Sequence, residues 1–309
     1  MTAPRVLVVG EINPDLVLRC ADSFPSPGRE ILVEDSQLTL GSASAICASA
    51  LARLGNNIHF IGKVGPDLFG RFSLEQMKEN GIEVGRVIVD ENVKTGITIS
   101  LTTSSDRALV THLVAIASLR EDDILEEDFD SAEHLHVSAY YLQEALRPGL
   151  RELFRRAHRR GLTTSLDPGH DPVEAWKEIV PVLSEVDVFF PNETELLRIA
   201  EGDDVEESLR SLSASGSTTT VAKLGADGAA VLVEGAYHRI EARKVDVVDT
   251  TGAGDSFDAG FLHAYLRGRP LPDCLRYGVA GGTLSTRALG GTTAQPSLSE
   301  LEAFLAAGD

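Results

Sequence analysis

The chain has 309 residues, 43% of them apolar, enough for a packed core in one large α/β domain or two small ones. Its formal charge of −19 opposes nucleic acid and anionic membrane surfaces. It also repels ATP at long range, so any nucleotide site has to rely on Mg2+, backbone N–H groups and a few local cations.

No apolar run reaches the roughly 20 residues of a membrane span. Met1-Thr2-Ala3-Pro4-Arg5 shows no signal-peptide pattern, which places the protein in the cytoplasm. Cys20, Cys47 and Cys274 are scattered, as reduced thiols are, without zinc or disulfide spacing.

The first strand is predicted over 6–10, with a loop to Asp15 and extended chain over 16–18. A carboxylate just past a central strand is placed to grip ligand hydroxyls, because open α/β sheets bind ligands at strand C-termini. Taken alone, Asp15 reads as a turn residue. Residues 31–40 are extended. Gly41-Ser42-Ala43-Ser44-Ala45 then opens a helix that ends at Gly55, and its small residues let a ligand lie close. A strand follows over 58–61. Asp67 is predicted to cap a helix over about 72–80. Residues 95–103 and 108–116 read as a hairpin around 104–107. Together with 16–20 and 31–40 they build a small separate sheet.

From residue 124 strands and helices alternate: strands at 135–137, 163–166, 186–190 and 218–223, extended chain at 229–233, and a helix over 146–160. That cadence predicts a parallel sheet with helices on both faces. Residues 202–204 and 213–217 read as surface loops. His134 and His136 share one face of a strand and read as core or surface histidines rather than metal ligands. Asn192 and Glu195 lie three apart at a helix start and suit either a cap or a hydrated Mg2+. Lys223-Leu224-Gly225-Ala226-Asp227-Gly228, taken alone, reads as a plain strand turn.

The most telling stretch is 245–257. Val245, Val247 and Val248 read as the end of a buried strand, Thr250 to Gly254 as a small-residue turn, and Asp255 onward as a helix. Helix N-termini carry unpaired amides and partial positive charge. Gly252 and Gly254 let that backbone approach an anion, and Asp255 stands at its mouth. Such an arrangement suits phosphoryl transfer, where positioning and charge stabilisation do most of the work. Helix then resumes over 280–285, a loop follows over 286–292, and a last helix spans 298–306.

Asp249-Thr250-Thr251-Gly252-Ala253-Gly254-Asp255-Ser256-Phe257 resembles the C-terminal signature of the ribokinase-like (PfkB) carbohydrate kinases. Gly62-Lys63-Val64-Gly65-Pro66-Asp67-Leu68-Phe69-Gly70 resembles their N-terminal signature. The resemblance implies an α/β ribokinase-like fold: a mostly parallel central sheet with helices on both faces and a small β-sheet lid. It implies a single domain over 1–309, with lid segments near 12–40 and 92–116 that often serve dimerisation. Asp255 would be the catalytic base, and Gly252, Ala253 and Gly254 the anion hole. Asn13, Asp15, Gly41 and Ser42 would hold the sugar, while Asn192, Lys223, Gly225 and Gly228 would face ATP. Glu195 would help hold Mg2+. Asp249 and Thr251, with the 286–292 loop, would wrap a monovalent cation such as K+ through backbone oxygens.

The chain departs from the family's Gly-Gly-x-x-x-Asn by Ser42 and Ile46. It has Gly278 or Val279 where many relatives set an Asn against adenine, so adenine is expected to be held by packing. The expected function is an ATP-dependent sugar kinase acting on a hydroxymethyl group. The alternatives are a nucleoside kinase of the same family and a catalytically silent sugar or nucleotide sensor. A dinucleotide-binding dehydrogenase is disfavoured, because no Gly-x-Gly-x-x-Gly follows the first strand.

Overall fold

The structure is a computed structural model that describes residues 3–20, 23–103, 107–130, 132–214 and 219–308. The predicted hairpin tip at 104–106 and residues 215–217 of the predicted loop lie outside that set.

The N-terminal third supplies β1 (Arg5–Val9), β2 (Pro14–Cys20), β3 (Val33–Leu40), α1 (Ala43–Arg53), β4 (Asn57–Ile61), β5 (Lys63–Val64), α2 (Leu68–Glu79), β6 (Ile88–Val89), β7 (Ile97–Thr102) and β8 (Arg107–His112). The middle supplies β9 (His134–Val137), α3 (Arg147–Arg159), β10 (Thr163–Leu166), α4 (Val180–Leu183), β11 (Val188–Phe189), α5 (Glu193–Ala200) and α6 (Val205–Ala214). The last third supplies β12 (Thr219–Lys223), β13 (Ala229–Val233), β14 (Ala236–Ile240), α7 (Ala253–Tyr265), α8 (Leu271–Ser285) and α9 (Leu298–Ala306).

Eight strands form the main sheet in the order β14-β13-β12-β11-β10-β9-β1-β4. The strands from β4 to β12 run parallel, and β13 and β14 return antiparallel at one edge. Parallel strands are covered on both faces, and β1 is accordingly apolar along Val6-Leu7-Val8-Val9, whereas β9 and β10 also bury His134, His136, Thr164 and Ser165. One apolar cluster packs α1, α7 and α8 on one face, and a second packs α3, α5 and α6 on the other. Successive strands are added outward from β1 toward β4 on one side and from β9 toward β14 on the other, so the strand order reverses between β1 and β9. The crevice at such a switch point is where open α/β sheets bind ligands.

β3, β2, β7 and β8 form the separate four-stranded sheet that the sequence predicts. Its β3 and β8 strands expose Val33, Leu38, Leu109 and Val110.

Asp67 caps α2, accepting from Gly70 N–H at 2.9 Å and from Thr95 N–H at 2.8 Å. The helix therefore starts at Leu68 rather than near 72. The predicted buried strand end at 245–248 is instead irregular, with Val247 60% and Val248 49% exposed. No strand pairs with it; it is tied down by Val248 N–H donating to Thr286 O at 2.8 Å. Ser213 lies in α6 rather than in a loop, and β14 went unread in the sequence.

His134 and His136 are fully buried and take part in a chain of polar contacts along β9 and β10. Thr163 Oγ1, the two His134 nitrogens, Ser165 Oγ, the two His136 nitrogens and Ser138 Oγ follow one another at 2.7 Å per contact. Ser165 has one proton, so it donates to one ring and accepts from the other, which forces both rings into the same tautomer. Burial depresses both pKa values, to about 3 for His134 and about 4 for His136, with His136 adding to the fall at His134. Stability is therefore complete above the ordinary histidine pKa of 6.5 and is lost as pH falls toward the folded values. Each ring is expected to remove about 1.4 kcal/mol per pH unit across that window. Imidazole NMR should show no titration of either ring down to pH 5; a folded-state midpoint above 6 for either would refute this.

Candidate functional site

The C-terminal ends of β1, β9, β10, β11 and β12 converge with the N-termini of α1, α5 and α7. Each predicted site residue sits on one of these ends or on the adjoining four-stranded sheet.

The acceptor-side group is built by β2, β3 and α1. Asp15 is 7% exposed, and its Oδ1 accepts from Asn13 Nδ2 at 3.2 Å. Asn13 Nδ2 also reaches Pro14 O at 3.0 Å and Thr98 Oγ1 at 3.3 Å, which links the loop to the four-stranded sheet. Gly41 is dictated by Asp15: a Cβ there would fall 1.9 Å from Asp15 Oδ1. Gly41 N–H donates to Asn13 O at 2.9 Å. Ser42 takes the second-glycine position at φ 67°, a strained conformation for a residue with a side chain. Its hydroxyl donates to Glu11 O at 2.8 Å and accepts from Ala45 N–H at 3.3 Å, so it also caps α1. Ile46 packs against the backbone at Gly252 and Gly291.

Sequence reasoning missed Glu11. It is buried, and its two oxygens accept from Ser44 N–H at 3.1 Å and Ser44 Oγ at 2.5 Å. Burial raises its pKa, against the Ser44 hydrogen bonds that lower it.

The phosphoryl-side turn is shaped by Asp249. Its Oδ1 accepts from Thr251 N–H at 2.9 Å and Thr251 Oγ1 at 2.8 Å, and its Oδ2 from Gly290 N–H at 2.8 Å. Both oxygens thus face donors, leaving backbone oxygens of this turn and the 286–292 loop as the groups able to meet a cation. Gly252 sits at φ 73° as the residue before α7, where a Cβ would lie 2.8 Å from Gly291 Cα. Ala253 N–H closes the turn onto Thr250 O at 3.2 Å. Gly254 N–H has no hydrogen-bond partner among the described residues. Asp255 follows in the first turn of α7, partly exposed.

Asn192 and Glu195 form a reciprocal cap on α5: Glu195 N–H donates to Asn192 Oδ1 at 2.9 Å, and Asn192 N–H to Glu195 Oε2 at 2.8 Å. The capping reading is therefore realised. It leaves Glu195 5% exposed, with burial, aided by Asp167, raising its pKa to about 7. Among the described residues no three His, Cys, Asp or Glu side chains form a metal cage. Mg2+ keeps several waters and borrows phosphate oxygens, so one or two carboxylates of the kind Glu195 offers are enough to fit it. Gly225 and Gly228 both adopt positive φ in the turn after β12.

Lys223, expected to face ATP, ends β12. Its ammonium turns inward, 2.5 Å from Asp167 Oδ2 and 3.2 Å from Asp258 Oδ1. The carboxylates titrate in opposite directions. Burial pushes Asp258 well above the usual range, with Asp167 adding to the rise and Lys223 opposing it. Burial also pushes Asp167 upward, but the Lys223 ammonium and a hydrogen bond from Asp258 outweigh it and hold Asp167 low. Burial lowers Lys223, and its carboxylate neighbours more than restore its charge. Asp258 was legible as an acid inside the apolar run Phe257 to Leu262, a residue that needs a buried partner. Asp167 carried no such signal.

The family model for "pfkB family carbohydrate kinase" matches residues 3–298. Ribokinase from Haemophilus influenzae is 28% identical over 306 residues, covering 96% of this chain and 97% of that protein. 2-Dehydro-3-deoxygluconokinase from Bacillus subtilis is 31% identical over 286 residues, covering 87% of each. The solved structure of Arabidopsis thaliana ribokinase complexed with ribose and ATP superposes with a TM-score of 0.84 at 24% identity, covering 98% of this chain and 99% of that one. The ribokinase-like fold expected from the motifs is the fold observed.

Proposed function

The chain belongs to the PfkB family of carbohydrate kinases, and we propose that it transfers the γ-phosphoryl group of ATP to a hydroxymethyl oxygen of a small carbohydrate. One observation carries the reading. Asp255 stands in the first turn of α7, beside a Gly254 N–H that has no hydrogen-bond partner among the described residues, with Asp15 and Gly41 packed together ahead of α1.

Asn13, Asp15, Gly41 and Ser42 hold the acceptor. Asp15 orients its hydroxyls, and Gly41 gives that carboxylate its room. Asp255 accepts the proton of the attacking hydroxyl as its oxygen bonds to the γ-phosphorus and the bond to the β-phosphate oxygen breaks, releasing ADP. The turn of Gly252, Ala253 and Gly254 receives the transferring group; Gly254 N–H and the positive end of α7 stabilise its charge. Asn192, Gly225 and Gly228 flank the nucleotide. Mg2+ supplies charge neutralisation for the phosphates when bound, with Glu195 as the residue that fits it. A monovalent cation such as K+ fits the backbone oxygens beside Asp249 and Thr251, where it would fix the anion-hole turn. The four-stranded sheet acts as a lid that excludes water, and its exposed apolar strands serve a homodimer.

ADP release should be measured across neutral pentoses and hexoses, sugar acids and nucleosides. Turnover with a neutral sugar is the expected result. Turnover with nucleosides alone would move the chain to the nucleoside kinases. Binding without turnover across the whole panel would make it a sensor. No helix among the described residues is long and apolar enough to cross a membrane.

A further inference from the structure

Lys223, Asp167 and Asp258 make a buried cluster in which one ammonium meets two carboxyl groups. Stability is a poor explanation for it. Desolvating such charges offsets most of their attraction, and apolar replacements of similar volume are commonly neutral or stabilising. Its location is more informative. Asp167 follows β10, Lys223 ends β12, and Asp258 lies one turn beyond Asp255 on α7. A Cβ built on Gly254 would have Lys223 Nζ at 3.4 Å, Cε at 3.8 Å and Cδ at 3.9 Å as its three nearest neighbours. The cluster therefore turns its positive end toward the first turn of α7. Other charged or titratable groups around it are Glu195 on α5, His136 on β9, Asp255 on α7 and Cys47 on α1.

We infer that Lys223 is a positioning residue for phosphoryl transfer: held by Asp167 and Asp258 behind Gly254, its ammonium fixes the first turn of α7 and adds positive charge to the amides that receive the phosphoryl group, without touching the nucleotide. The inference rests on the anion-hole reading of residues 252–255. A charge acting through the helix matters most where negative charge develops, so it should appear in kcat rather than in ground-state binding.

The test uses two full-length variants, Lys223→Met and Lys223→Met/Asp167→Asn. The double variant removes the ammonium together with Asp167, its nearest carboxylate, so the ion pair is lost as a unit. Expected for both is a fall in kcat of about 10- to 100-fold with KM for ATP within about threefold of the parent. The double variant should melt no lower than the parent. If the single variant does not fold, the double variant carries the measurement. A kcat restored in the double variant would reduce Lys223 to a structural counter-ion and overturn the inference. So would a raised KM for ATP at unchanged kcat, the mark of a direct nucleotide contact. The unmodified protein and Asp255→Asn run in the same assay. No acceptor turnover by the former, or full turnover by the latter, sinks the anion-hole reading itself, whereas a normal pair of controls with an unaffected Lys223→Met sinks only the lysine's role.

Discussion

Asp255→Asn should lower kcat by about 10²- to 10⁴-fold, the range general bases contribute, while leaving KM for the acceptor within a few-fold. Asn has the shape of Asp and can accept a hydrogen bond, but it cannot take the proton of the attacking hydroxyl. The turn that frames it does not depend on its charge: Gly252 sets the φ of 73°, and Asp249 ties Thr251 and Gly290 together. Removing an acid from a first helical turn costs about 0.3–1 kcal/mol, too little to unfold the chain. Steady-state kinetics with a melting control check this. A kcat within tenfold of the parent would remove Asp255 from the base position.

Gly41→Ala should raise KM for the acceptor by about 10²-fold, the loss typical of a 1 Å misplacement, with KM for ATP nearly unchanged. The added methyl would fall 1.9 Å from Asp15 Oδ1 and 2.2 Å from its Cγ, so the carboxylate has to move off Asn13. The same change at Gly85, where a Cβ meets nothing within 4 Å, is the control and should alter neither constant. An acceptor KM that stays put in Gly41→Ala would mean that Asp15 does not grip the sugar.

The parallel sheet was readable because its strands are short runs bounded by turn residues and alternate with helical patterns, and Asp67 announces its helix by local capping chemistry. Local chemistry also misled. Val245, Val247 and Val248 are β-branched, but no neighbouring strand pairs with them, and propensity without a partner builds no strand. β14 went unread because Tyr237, His238 and Arg239 give an edge strand with little apolar alternation. Within the site, Asp255, Gly252 and Gly254 are contiguous and came out whole. The Asp167–Lys223–Asp258 cluster joins residues 56 and 35 positions apart, and no window of sequence shows such a meeting.

Strand order also has a consequence for biosynthesis. β1 lies between β4 and β9, so the first strand to leave the ribosome waits more than a hundred residues for its second neighbour. Asp15 and Asp255 come from opposite ends of the chain, and the closing contacts, Thr39 to Thr292 and Ile46 O to Gln295, join the first fifty residues to the last twenty. A nascent chain halted before α7 has every strand of the sheet but lacks the helices that cover one of its faces together with α1, so it presents that apolar face to chaperones.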